Sequence, residues 1–295
     1  MPLRESSRPP QTDVRFSPGA AAGWALACLL VQGVAAGLLR PRGSTGPVDF
    51  VAFGAVALLT LLVVLFGVVR VHGPDASLRE VVGLEASSGL LPPAVPRAVM
   101  LAHHVAVAVA CVVAGVALVS IDRGLDAFWA ARDGAFRDEL AHLFELIEAP
   151  TSRARVARLF ALGLAEPASE LAFYFGIVFG GLRRPRSRVL AASMSVLFFV
   201  LHASDLRTAP IRLLQAAPLL LGRLATGAIV APMCATVAFG LLEVHALGGG
   251  WPAMPGGVAV WGTALALSVL ALAFLVRAAS RWRLGEFADR VDLRA

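Results

Sequence analysis

The sequence predicts an all-α fold, a polytopic bundle of about eight transmembrane helices. Two observations carry the prediction. Of 295 residues, 58% are hydrophobic and only 16% charged, whereas a soluble domain carries about 25% charged residues. Apolar runs of about 20 residues recur along the chain, each long enough to cross a hydrocarbon core of about 30 Å. The alternating ten-residue strands of a membrane barrel are absent from the pattern.

Eight apolar segments follow in order: 19–39, 48–71, 98–121, 157–182, 189–204, 212–226, 228–247 and 257–277. Residues 1–18 read as a disordered tail, since Pro9 and Pro10 oppose helix there. The first segment is longer than a signal-peptide core and reads as a retained helix. Residues 19–277 form one transmembrane domain, and 278–295 a cytoplasmic tail. The sixth segment is short and holds Arg212 and Arg223, so a tilted, re-entrant or interior helix is expected. Between the third and fourth segments, residues 122–156 mix five arginines with seven acids. Apolar residues at three- and four-residue spacing there suggest either an amphipathic helix on the bilayer or a solvated connector.

All 26 basic residues are arginine. Together with the Ala, Gly, Val and Leu bias, this fits GC-rich coding rather than a nucleic-acid partner. Arginine-rich loops mark the cytoplasmic side. Arg183 to Arg188 holds four arginines and the tail from Arg277 five, so both termini are expected in the cytoplasm of a bacterium, with the chain in its inner (plasma) membrane. Cys28, Cys111 and Cys234 lie in apolar segments without Cys-x-x-Cys spacing, which supports neither a disulfide framework nor a zinc ribbon. The Gly248–Gly250 run lacks the strand and Lys-Ser/Thr of a phosphate loop. His103 and His104 are adjacent and cannot easily face one ion. They are expected in helix contacts, and His72 and His142 in solvated loops.

The chemistry-bearing stretch is "AEPASELAFYFGIVFGGLRR", Ala165 to Arg184. Glu166 and Glu170 are four apart and share a helix face. An acid at the centre of a span costs about 2.5–3.5 kcal/mol on insertion scales. Glu170 could be a structural carboxylate paired with an arginine such as Arg158, part of a transport path, or a catalytic acid/base. His202 lies in "SVLFFVLHASD" on the next segment. Counted from the cytoplasmic loop between them, both residues lie about 18–20 Å up their helices, so the two could meet.

Here the chain resembles the CPBP intramembrane endopeptidases, which include the CAAX prenyl proteases and bacterial Abi proteins. Pro167, Glu170, Gly176 and "FGGLRR" (Phe179 to Arg184) align without gaps on the first motif, and Phe198 to His202 matches Phe-x-x-x-His. The resemblance covers residues 157–247. Leu171 stands where the family has a second glutamate and Phe175 where it has arginine. The third motif, His-x-x-x-Asn, has two registers. Alignment on Thr226, Gly227 and Pro232 puts Thr236 and Gly240 there; "HALGG" puts His245 and Gly249 there. Depth favours His245, about 25 Å up its helix against about 12 Å for Thr236. Glu243 reads as interfacial.

The resemblance implies hydrolysis of a peptide bond in a membrane-anchored protein or peptide, with no cofactor, metal or acyl-enzyme. Glu170 would activate water as a carboxylate in a low-dielectric pocket, supported by Glu166. His202 would hold the water, and His245, Thr236 or Tyr174 would stabilise the oxyanion. Within the family the myxosortases are the narrower comparison. The alternatives are an inactive CPBP-like binding or immunity protein, which Leu171 and Phe175 favour, and a small-molecule transporter, for which no inverted repeat is seen.

Overall fold

Nine helices follow from this pattern in the computed structural model, which describes residues 17–39, 47–72, 81–84, 97–147, 151–182, 188–202, 206–245 and 257–291. They are α1 (Pro18–Leu39), α2 (Pro47–His72), α3 (Arg97–Ala130), α4 (Gly134–Ile147), α5 (Ser152–Leu182), α6 (Arg188–Leu201), α7 (Ala209–Thr226), α8 (Val230–His245) and α9 (Gly257–Val291). No strand occurs among the described residues. Among the described residues four helices are long and apolar enough to cross a membrane, in α2, α3, α5 and α9; the apolar stretches of α1, α6 and α8 are shorter. Leu59, Leu62, Val63 and Phe66 of α2, and Leu265, Val269 and Leu270 of α9, are exposed. Such an apolar exterior suits lipid. The protein is a helical membrane protein.

The boundaries differ from the sequence reading at the ends of the third and eighth segments, and one of the two alternatives for 122–156 is seen. The third apolar segment ends at 121, yet α3 continues to Ala130. Asp122, Arg123 and Asp126 read as lying beyond the span, but Arg123 pairs with both acids inside the bundle, so the helix can continue through them. The segment around 134–147 is the helix α4, with Asp133 Oδ1 accepting from the amides of Ala135 (3.0 Å) and Phe136 (3.3 Å). This is an N-cap. The expected tail from 278 is helical to Val291. The expected disordered tail (apart from Ser17 and Pro18), the 183–187 stretch and the 248–256 turn lie outside the described residues.

Helix α3 is central and packs against α7, α8 and α9. Helix α5 is capped by Thr151, whose hydroxyl accepts from the Ala154 amide at 3.2 Å. It changes register twice: residues Leu159–Ala165 and Ala172–Val178 are π-helical, flanking the α-helical turn Glu166–Leu171. Pro167 has no N–H to give the preceding turn, and the wider π register before it accommodates that loss. Such bulges concentrate at functional sites. The α7–α8 turn is buried as well. Gly227 takes φ 68°, Arg223 donates to its carbonyl, and the Ile229 amide donates to Gly83 O at 2.9 Å.

Candidate active site

Helices α5, α6 and α7 bring three side chains to one point. Oε1 of Glu170 lies 3.0 Å from Nε2 of His202, and Nη1 of Arg212 donates to Oε2 of Glu170 at 2.6 Å. The glutamate is 4% exposed. His202 Nδ1 lies 3.0 Å from the hydroxyl of Tyr174. With the ring proton on the Nε2 side, Nδ1 accepts from that hydroxyl. The ring N–H is turned off the line to Oε1, which therefore makes no aligned hydrogen bond. Phe199 packs on Tyr174 and on Phe175, with the Arg212 guanidinium 5.2 Å over its ring.

One sequence expectation changes here. Glu170 is paired with a guanidinium, as one of the alternatives had it. Its arginine is Arg212, not Arg158, which stacks 5.0 Å over the Phe50 ring instead. The signal for Arg212 was present: an arginine inside an apolar segment needs an internal partner. Which acid it would meet depended on the helix arrangement.

A cavity of about 290 Å³ adjoins the triad, lined by Glu166, Glu170, Arg212, Thr236, Asp122 and Glu243 among others. Glu166 and Glu170 both reach it, as their four-residue spacing requires. Thr236 and Gly240 belong to its wall, whereas His245 does not and is exposed at the end of α8. The depth argument preferred His245 because it counted α8 from the membrane edge. The α7–α8 turn is buried and bonded to the 81–84 stretch through the Ile229 amide and Gly83 O, so it is not the exposed helix end that the count took as its origin. At Gly240 an added Cβ would lie 2.9 Å from Gly163 O and 3.0 Å from Pro167 Cγ. The close crossing of α8 on α5 thus leaves no room there for a side chain.

Glu243, read from the sequence as interfacial, is partly exposed near the end of α8. It faces the cavity and approaches Arg123 Nη2 at 3.4 Å; Arg123 also pairs with Asp122 at 3.1 Å and Asp126 at 3.0 Å. Sequence reasoning missed this cluster because it placed 122–126 beyond the third span, in a segment read as an amphipathic helix or a solvated connector. Leu171 and Phe175 are fully buried in the apolar core. His103 Nε2 meets Ala225 O at 2.9 Å and His104 Nδ1 meets Met100 O at 2.8 Å. His72 ends α2 and accepts from Trp24 Nε1 at 3.0 Å, rather than standing free in a loop. His142 is exposed on α4.

Fold and site define a helical membrane protein with a buried acid–imidazole–guanidinium centre beside a polar cavity. No family model, curated protein or solved structure matches the chain.

Proposed function

We propose that the protein is an intramembrane endopeptidase of the CPBP kind, hydrolysing a peptide bond of a membrane-anchored protein or peptide. The observation that carries the reading is the 3.0 Å approach of Glu170 to His202 at the edge of a polar cavity. A carboxylate there takes a proton from water, and the resulting hydroxide adds to the scissile carbonyl. Arg212 and the Thr236 hydroxyl, whose Oγ1 has no hydrogen-bond partner among the described residues, are the donors for the oxyanion. Each such donor contributes about 10²–10³ in rate. The proton on Glu170 then passes to the leaving amine. Tyr174 and Arg212 position His202 and Glu170 for these steps.

The replacements at Leu171 and Phe175 are compatible with this chemistry. A glutamate and an arginine four apart are exchanged together for two apolar residues, so no lone buried charge is left, and such exchanges are often neutral or stabilising. Arg212 supplies a guanidinium from another helix. The proposed topology is eight spans with both termini cytoplasmic, in the inner membrane. It is supported by the arginine-rich stretches Arg183–Arg188 and 277–295.

One observation favours a second reading, an inactive binding or immunity protein: the 2.6 Å pair with Arg212 could serve structure alone. Replacing Glu170 with Gln removes the base with little change in shape. If the protein is a peptidase, cleavage of candidate membrane proteins in cells falls by at least about 100-fold while the protein still accumulates in the membrane. Unchanged cleavage, in cells where the wild type is required for it, excludes Glu170 as the base.

A further inference from the structure

Away from the cavity, a guanidinium without an acid stands at the end of the bundle where α2 and α5 begin. These two helices run side by side in the same direction: the Phe50 ring meets Arg158, and a Cβ on Gly54 would meet Phe160 and Ala161. Arg158 is 4% exposed, and its buried Nε and Nη1 have no hydrogen-bond partner among the described residues. The guanidinium lies 5.0 Å over the Phe50 ring. An aromatic face attracts the cation but offers no lone pair to its five N–H donors. An arginine near the end of a span ordinarily snorkels, with its stem on apolar surface and its head in water. Here the head itself is buried, which is costly unless an anion joins it.

Position narrows the anion. Phe50 is the fourth residue of α2 and Arg158 the seventh of α5. At the helical rise, the guanidinium lies within about 10 Å of the level at which both helices start. The start of each helix carries partial positive charge. The first turn of α5 has no acid, and its Arg153 and Arg155 are exposed. At the end of a span, the anion that a bilayer presents is the phosphate of a lipid headgroup, and the guanidinium fork matches two phosphate oxygens at once. We infer that Arg158 holds the phosphate of a phospholipid headgroup between the starts of α2 and α5, with Arg155, its neighbour one turn earlier, at the rim. The site is independent of the peptidase reading. Arg158 precedes Glu166 by eight residues on one helix, so the bound headgroup sets the depth of the helix that carries Glu170.

The test uses the full chain in dodecyl maltoside, with native mass spectrometry to measure binding. Dioctanoyl phosphatidylglycerol should bind at least about tenfold more tightly than dioctanoylglycerol, which has the same chains and no phosphate. Glycerophosphoglycerol, the same headgroup without chains, should bind at least about tenfold more weakly than the phospholipid. Arg158→Met keeps most of the side chain's length, breaks no ion pair, and should bring the preference for phosphatidylglycerol over diacylglycerol close to one. Arg155→Gln, an exposed change, should lower that preference several-fold and decides the matter if Arg158→Met does not fold. Equal binding of the two lipids by the wild type, or a preference that a folded Arg158→Met or Arg155→Gln retains in full, overturns the inference. Glycerophosphoglycerol binding as tightly as the phospholipid overturns the lipid as the source of the phosphate.

Discussion

Glu170 is tolerable within the bundle because Arg212 compensates it, and removing either partner alone strands a buried charge. Breaking a buried pair from one side costs about 3–5 kcal/mol, whereas replacing both partners can be neutral or better. Arg212→Met should therefore destabilise the protein by roughly 3 kcal/mol. Adding Glu170→Gln to it should restore most of that loss in denaturant or thermal unfolding, while leaving cleavage absent. A double variant no more stable than Arg212→Met would mean that the pair is not coupled. The Glu170–His202 juxtaposition was legible in the sequence, because both residues are tied to one short loop and helical rise fixes their depth. Arg212 and Tyr174 were visible as polar residues in apolar runs, but their partners depended on helix rotation and packing, which spacing along one helix does not determine.

Helices were legible wherever an apolar run was long, and their ends were least so where charges pair inside the bundle. Asp122 and Arg123 are the example: read alone they end a span, and paired they carry α3 on to Ala130. The crossing of α8 on α5 was likewise hidden, because a glycine shows its purpose only once its neighbour is known. Gly240→Ala would push a methyl group against Gly163 O and Pro167 Cγ, at 2.9 Å and 3.0 Å. It should cost about 1–3 kcal/mol through overpacking and enlarge the spacing between Thr236 and Glu170. Gly23 on α1 is the control, with nothing within 4 Å of an added Cβ. Gly23→Ala should be neutral or stabilising by up to about 1 kcal/mol, as for a helical glycine with open space. Equal losses in the two variants, measured by thermal unfolding in the same detergent, would remove the crossing as the cause.

At the scale of the whole molecule, the site end of the bundle is tied to a helix outside the membrane-spanning segments. Arg207, in the short turn Leu206–Thr208 that follows the His202 helix, reaches α4: its Nη1 donates to Asp133 at 2.7 Å and its Nη2 to Glu139 at 2.9 Å. Its guanidinium also lies 4.6 Å over the Phe136 ring. The next residue, Thr208, lines the cavity, so the position of α4 and the shape of the cavity share one anchor. The Phe136 amide, followed by the Arg207 guanidinium, holds the Asp133 carboxyl below its ordinary value. A depressed folded value contributes stability above the unfolded one, and that contribution is lost as pH falls through the folded value. The loss should therefore begin near the ordinary aspartate value of about 3.9 and grow below it. A spin label at residue 142 on α4 should be held between pH 7 and 5 and gain mobility as the pH drops below about 4. Arg207→Gln keeps the backbone donors to Asp133 and removes only the guanidinium, so its transition should move toward higher pH without disappearing. Mobility that stays constant down to pH 2, or an Arg207→Gln profile that coincides with the wild type, would show that this contact does not hold α4 to the site end of the bundle.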